Sequence, residues 1–140
     1  MVEIFVEYLG DLHCKVKHGP SGQEFLTDAP LDNEGKAEFI SPTDLLATAS
    51  ASCITTIMGI VARNNNIDIV GLKVKATKEM VNVPYRRISK LTIDFVFPKK
   101  LNEKEFQLMS NVVKTCPVTR SLSPDVELEV HFKVPGRDLI

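Results

Sequence analysis

The fold of this chain is decided by residues 41–53, which read Ser41-Pro42-Thr43-Asp44-Leu45-Leu46-Ala47-Thr48-Ala49-Ser50-Ala51-Ser52-Cys53. The segment begins as a helix should, because serine suits the N-cap, proline suits the first helical position and Asp44 follows the cap by three residues. The uncharged run continues to Ala62, and Asn64-Asn65-Asn66 suits a helix end. We therefore predict a buried central helix that runs from Ser41 to about Arg63.

Strands are predicted on both sides of this helix from period-two alternation and from turn residues. They cover residues 2–8, 12–17 and 23–27 before it, and residues 69–81, 87–97 and 126–134 after it. A second helix begins at the capping box Asn102-Glu103-Lys104-Glu105 and runs to about Thr115, and a short helical piece begins at Pro117. The order β-β-β-α-β-β-α-β predicts an α+β fold with a largely antiparallel sheet, as one domain over residues 1–140.

The composition is that of a globular protein. The chain has 140 residues, of which 44% are apolar and 25% charged, so one domain with a substantial core is expected. A net charge of −1 gives no general attraction to nucleic acid or to anionic membranes, and neither partner is expected. Threonine and serine dilute the apolar run of the central helix, which argues against a membrane span. Three cysteines without a secretion signal indicate a reducing compartment, hence a cytoplasmic protein.

Two of the cysteines stand in unlike settings. Cys53 lies inside the uncharged helix among small side chains, whereas Cys116 opens Cys116-Pro117-Val118 at a predicted helix start, where free backbone N–H groups favour a thiolate. Their wide separation does not match a zinc knuckle or a Cys-x-x-Cys motif. The pair suggests thiol redox chemistry, in which one cysteine attacks and the other resolves. The alternatives are an inert core thiol at Cys53 and a structural, helix-capping cysteine at Cys116.

The motifs around both cysteines resemble those of a known family. They are Ser41-Pro42-Thr43-Asp44-Leu45-Leu46, Ala51-Ser52-Cys53 and Cys116-Pro117-Val118-Thr119-Arg120-Ser121-Leu122, with matching flanks at Thr27-Asp28-Ala29-Pro30 and Arg86-Arg87-Ile88. Together they resemble the OsmC/Ohr family (osmotically induced protein C, organic hydroperoxide resistance). The resemblance covers most of the chain and implies an intertwined, cofactor-free homodimer that reduces organic hydroperoxides with electrons from a dithiol. It places Cys53 at the peroxidatic position and Cys116 at the resolving position.

The chain departs from the family pattern at the residues that support the thiolate. Peroxidases of this family hold the thiolate with an arginine from the N-terminal region, and a glutamate near the first helix holds that arginine. No arginine precedes Arg63 here, and Asp44, the only candidate carboxylate, is better explained as a helix cap. Four cations could replace the arginine: Lys36, Arg86, Arg87 and Arg120. Lys36 ranks first because it lies in the loop before the helix, although lysine lacks the bidentate fork of arginine.

The sequence also offers alternatives to a thiol peroxidase, among them a metal site. His13, Cys14 and His18 match no standard zinc spacing, and the first two point to opposite faces of a strand, so no metal is expected. Ala49 and Ile57, one turn either side of Cys53, are expected to line an apolar hydroperoxide pocket. Because the arginine is missing, a second hypothesis is a non-catalytic OsmC-like protein that binds a small hydrophobic molecule. A redox-sensing module whose disulfide alters a protein contact is a third hypothesis.

Overall fold

The computed structural model describes residues 1–137 and contains every predicted strand and helix, with ends that differ by a few residues. The strands are β1 Ile4–Gly10, β2 His13–His18, β3 Glu24–Thr27, β4 Lys73–Val81, β5 Arg87–Val96 and β6 Glu127–Lys133. The helices are α1 Pro42–Asn64, α2 Glu103–Asn111 and α3 Pro117–Arg120, with 3-10 turns at Leu31–Asn33 and Val112–Thr115. The α+β class predicted from the sequence is confirmed.

The chain divides into two compact units, of which the first spans Met1–Leu46. Its three strands form an antiparallel sheet in the order β1-β2-β3, and Thr27 at the end of β3 makes a further bridge to Ile40. Ile4, Phe5 and Val6 of β1 are all more than half exposed. Since successive residues of a strand point to opposite faces, this sheet exposes apolar side chains on both faces.

The second unit begins at Ala47 and contains the other three-stranded sheet, in the order β4-β5-β6. β4 and β5 pair antiparallel, but β5 and β6 pair parallel, with Phe95 opposite Phe132. Parallel neighbours need a long crossover, and α2 and α3 lie within it. The largely antiparallel sheet of the prediction is therefore refined to two sheets, one of them mixed.

The core of the second unit joins α1 to the mixed sheet. Ile54 and Met58 of α1 pack in one cluster with Ile93 and Phe95 of β5, and all four side chains are buried. From Leu91 onward the inward residues of β5 follow period two, as the sequence predicted, and a register shift opposite Glu79 and Met80 puts Ile88 one residue out of this phase. Cys116 belongs to the same cluster, so this core positions both α1 and the segment that begins α3.

The first turn of α1 is held by the predicted capping box. The Ser41 N–H donates to Asp44 Oδ2 at 3.0 Å, and the Asp44 N–H donates to Ser41 Oγ at 3.1 Å. α2 begins with a second such box between Asn102 and Glu105. By length and composition alone α1 would be able to cross a membrane, yet Ile54, among others, packs in the core of the second unit. The single domain predicted for residues 1–140 stays a prediction.

Candidate active site

Two of the three thiols lie in contact within the second unit. Cys53 is carried by the middle of α1, and Cys116 is the residue before Pro117, at the N-cap of α3. Both are free thiols, and their side chains are hydrogen-bonded to each other. The structure thus brings together the two cysteines that the sequence motifs singled out.

The Cys116 thiol is buried but surrounded by donors. Burial is the largest influence and raises its pKa, but it is outweighed by hydrogen bonds from the Thr119 N–H, the Cys53 thiol and the Val118 N–H together with the Thr119 side chain. The Thr119 hydroxyl donates to the Cys116 carbonyl oxygen at 3.1 Å. The net result is a pKa of Cys116 below the ordinary thiol value. The donors are available because backbone N–H groups in the first turn of a helix have no partner within the helix.

The Cys53 thiol has the opposite tendency. Burial raises its pKa most, and the hydrogen bond and the charge of Cys116 raise it further, while the Val118 N–H lowers it. The first proton therefore leaves Cys116, and the Cys53 S–H donates to the resulting thiolate. In this state the pair carries one negative charge, and Cys53 becomes a thiolate when its proton crosses the shared hydrogen bond.

Solvent access also differs between the two thiols: the thiol with the lower pKa is the less exposed one. The exposed fraction of Cys116 is 0%, whereas Cys53 is partly exposed. Solvent therefore reaches Cys53 and not Cys116. The arrangement places the acidic thiol out of reach, next to a reachable thiol of higher pKa.

An open groove of about 540 Å³ runs along α1 within the second unit. It is lined by small or apolar side chains of α1, of β4 and of the residue before β4: Thr48, Ala51, Ser52, Thr55, Thr56, Leu72, Val74 and Ala76. Ala49 and Ile57, which were predicted to line a pocket, do not line this groove. Ile57 packs against the core instead, and Ala49 is exposed.

The residues predicted to support the Cys53 thiolate lie in different parts of the chain. Asp44 acts as the cap of α1, as predicted. The Arg87 guanidinium donates to the carbonyl oxygens of Ile88 at 3.2 Å and Asp125 at 2.9 Å, and Arg86 donates to Asn82 Oδ1 at 3.4 Å. Arg120 ends α3, and Lys36 lies in the connection that precedes α1. The cation that would act on Cys53 stays a prediction.

The histidines have partners that the sequence did not indicate. The His18 ring bonds to Ser21 Oγ at 2.6 Å, whereas His13 lies beside Asp28 and Glu38. Asp28 and Glu38 were missed because they lie in an aperiodic connection, whose course no periodic pattern predicts.

His131 lies between two carboxylates in the second unit. Its ring nitrogens are 2.8 Å from Asp94 Oδ1 and 3.2 Å from Glu129 Oε1. The hydrogen bond to Asp94 is the largest influence and raises the pKa of His131; burial opposes it, and Glu129 adds to the rise.

Comparison with known proteins gives one family. The sequence profile described as "OsmC-like protein" matches residues 35–131. None of the curated proteins compared with the chain matches it. A crystal structure from Psychrobacter arcticus 273-4, provisionally named an osmotic stress induced and detoxification response protein, is 45% identical, with a TM-score of 0.88 over 94% of this chain and 96% of that chain.

Two structures of lower identity share the fold. An organic hydroperoxide resistance protein OsmC from Legionella pneumophila is 16% identical, with a TM-score of 0.76 over 96% of this chain and 97% of that one. The organic hydroperoxide resistance protein OhrB of Bacillus subtilis is 15% identical, with a TM-score of 0.72 over 95% of this chain and 98% of that one. At these identities the likeness shows the fold alone.

Proposed function

The chain belongs to the OsmC-like protein family, and from this premise we propose that it is a thiol-dependent peroxidase that reduces organic hydroperoxides in oxidative stress defence. The observation that carries the proposal is the hydrogen-bonded contact between the partly exposed Cys53 and the buried Cys116. Two proteins of the same fold bear the name organic hydroperoxide resistance protein, which agrees with this proposal.

In the first step Cys53 is the nucleophile. Its proton passes to the Cys116 thiolate through the shared hydrogen bond, and the Cys53 thiolate attacks the terminal oxygen of the hydroperoxide. The O–O bond breaks, Cys53 becomes a sulfenic acid and the alkoxide leaves. The alkoxide takes the proton held by Cys116 and departs as the alcohol, so Cys116 is again a thiolate.

In the second step Cys116 resolves the sulfenic acid. Its thiolate attacks the Cys53 sulfur, a disulfide forms and hydroxide leaves, taking a proton from solvent to give water. A dithiol reductant then reopens the disulfide by exchange and supplies two electrons and two protons. The low pKa of Cys116 makes it the better leaving thiol in that exchange, because thiols of low pKa leave faster.

We also propose that the protein is a cytoplasmic homodimer of single-domain chains. The support is the sheet of the first unit, where Ile4, Phe5, Val6 and Tyr8 are each more than half exposed. Apolar area of this kind marks a surface that another chain covers, and two-fold dimers are the commonest oligomers. Light scattering at micromolar concentration should give the mass of a dimer, and Phe5→Asp should give a monomer. A wild-type monomer would refute the homodimer.

The test of the peroxidase is turnover of cumene hydroperoxide with a dithiol reductant. Turnover should be lost in Cys53→Ser and kept in the matched variant Cys14→Ser, since Cys14 lies in β2 of the first unit. Absence of turnover by the wild-type chain, or equal turnover in Cys53→Ser, would overturn the proposal.

The groove along α1 favours a second candidate function, a non-catalytic protein that binds a small hydrophobic molecule. Its volume of about 540 Å³ suits a small ligand, and ligand pockets commonly have volumes of this order. Two results together would support this candidate. The wild type should show no turnover, and the Cys53→Ser, Cys116→Ser double variant should bind a hydrophobic probe saturably. Efficient wild-type turnover would reject it as the main function.

A further inference from the structure

Three groups with metal-ligand chemistry converge in the first unit. His13 begins β2, Asp28 directly follows β3, and Glu38 lies in the connection to α1. The His13 Nε2 atom is 3.5 Å from Asp28 Oδ1 and 3.2 Å from Glu38 Oε2. One imidazole nitrogen and two carboxylate oxygens thus lie within 4.8 Å of one another.

The distances suit a shared cation. A charge-assisted bond from a ring N–H to a carboxylate is about 2.7–2.9 Å long, and both separations here are longer. Ligand atoms at zinc bond lengths of about 2.0–2.2 Å and tetrahedral angles lie roughly 3.3–3.6 Å apart. The two distances from His13 Nε2 come close to that spacing.

The His13 Nε2 atom supplies an independent observation. It is buried, and within residues 1–137 it has no hydrogen-bond partner, although both carboxylates lie within ion-pair distance. Buried polar atoms are nearly always satisfied, so an orphaned nitrogen that faces two carboxylates needs an explanation. A cation bound by all three atoms provides one.

Asp28 is held in place by the backbone. The Glu38 N–H donates to Asp28 Oδ2 at 3.0 Å. The N–H groups of Ala29 and Lys36 are further hydrogen-bond partners of the same carboxylate. Outer contacts that orient a ligand in this way are typical of metal sites.

The connection between Asp28 and Glu38 is shaped to bring the two carboxylates together. A Cβ atom on Gly35 would lie 1.7 Å from the carbonyl oxygen of Ala29, so only glycine permits this close approach. The Gly35 N–H also donates to the Pro30 carbonyl at 3.1 Å, and the Asp28 N–H donates to that of Ile40 at 3.3 Å.

We propose that His13, Asp28 and Glu38 bind a borderline divalent metal ion such as zinc. One nitrogen and two oxygens from carboxylates suit zinc and its neighbours, and three protein ligands leave a fourth position for water. Half of the Glu38 side chain is exposed, which provides the entry path. The ion ties β2 to the connection that leads into α1. This proposal differs from the metal-free expectation for His13 and is independent of the thiol pair.

The test is a titration of the metal-stripped full-length chain with Co²⁺, followed by visible and near-ultraviolet absorption. One ion per chain should bind, with ligand-field bands of nitrogen and oxygen ligation and without thiolate charge-transfer absorption. Zn²⁺ should displace it and should raise the melting temperature of the wild type.

Two variants identify the ligands. Glu38→Gln, which changes one atom of a half-exposed side chain, and His13→Gln should each weaken Zn²⁺ binding by about 100-fold in competition with a chromophoric chelator. Glu34→Gln, in the same connection, is the matched control and should bind as the wild type does.

Three results would overturn the metal site. They are a wild type without saturable Co²⁺ binding, a Co²⁺ complex with thiolate charge-transfer bands, and a Glu38→Gln variant with wild-type affinity.

Discussion

The segments around Cys53 and Cys116 give their thiols opposite combinations of solvent access and acidity. Cys53 stands in the middle of a long helix, where solvent reaches it but burial and its neighbour raise its pKa. Cys116 stands at the start of a short helix, where donors lower its pKa but the core covers it completely. Access and acidity are thus properties of different sulfurs: Cys53 is the thiol that solvent reaches, and Cys116 is the thiol that ionises first.

The largest expected effect comes from removing each sulfur in turn. Cys53→Ser should slow single-turnover reduction of cumene hydroperoxide on the order of 10³-fold, because the buried Cys116 cannot replace it. Cys116→Ser should leave Cys53 oxidation at least as fast at neutral pH, because the charge that raises the pKa of Cys53 is gone. In that variant the sulfenic acid should accumulate, as dimedone trapping would measure. If Cys116→Ser also protected Cys53 from oxidation, the division of roles would be wrong.

A smaller effect is expected from the cation that the family pattern requires. The raised pKa of Cys53 leaves little thiolate, so a nearby positive charge should assist attack. Lys36→Met is expected to slow Cys53 oxidation about tenfold, or ~1.4 kcal/mol, while Lys36→Arg keeps the charge and the rate. Stopped-flow measurement should then be repeated for Arg86→Met, Arg87→Met and Arg120→Met. Unchanged rates in all four methionine variants would remove these side chains from the mechanism and would favour the non-catalytic function.

A still smaller effect is expected in the pH dependence of the rate, which reports the two different pKa values of the thiols. The rate of Cys53 oxidation should rise with pH in two steps, first through the lowered pKa of Cys116 and then through the raised pKa of Cys53. Thr119→Val removes the hydroxyl, one of the groups that lower the pKa of Cys116, so the first step should move to higher pH. In this variant the Cys116 thiolate, which competes with the Cys53 thiolate, is less stable. The oxidation rate at pH values between the two steps should therefore increase, by about fivefold for a hydrogen bond worth ~1 kcal/mol. Thr119→Ser keeps the hydroxyl and should behave as the wild type; a slower Thr119→Val plateau would contradict the shared-proton description.

The smallest effect on the chemistry is expected at Asp44. Its carboxylate caps α1, so Asp44→Ala should lower the free energy of unfolding by about 1 kcal/mol. The rate of Cys53 oxidation per folded molecule should stay within about twofold of the wild type, because capping acts on the helix and not on the sulfur. Urea unfolding and the single-turnover assay measure the two quantities. A tenfold loss of rate would instead give Asp44 the supporting role of the family's glutamate.

The parts of the structure that local sequence decides were predicted well. The start of α1 depends on Ser41, Pro42 and Asp44, all within one helical turn, and its capping box is present as expected. The inward phase of β5 and the helix that starts at Pro117 likewise follow from neighbouring residues. The approach of Cys53 to Cys116 was suggested by family motifs and not by any local pattern.

The features that were missed depend on contacts between distant segments. The parallel pairing of β5 with β6 is decided by the route of the crossover, which strand periodicity does not encode. The donors to Cys116 depend on the first turn of a four-residue helix and on where Thr119 points. The grouping of His13 with Asp28 and Glu38 depends on the course of an aperiodic connection. No local pattern locates the cation near Cys53, because such a side chain can come from any part of the fold.

The most direct test of the peroxidase is the map of cysteine products after one equivalent of cumene hydroperoxide. Non-reducing proteolysis and mass spectrometry should give a single intramolecular disulfide between Cys53 and Cys116, with Cys14 recovered as a free thiol. A disulfide that contains Cys14, or Cys53 oxidised to the sulfinic acid beside a free Cys116 thiol, would contradict the resolving role and with it the proposed reaction.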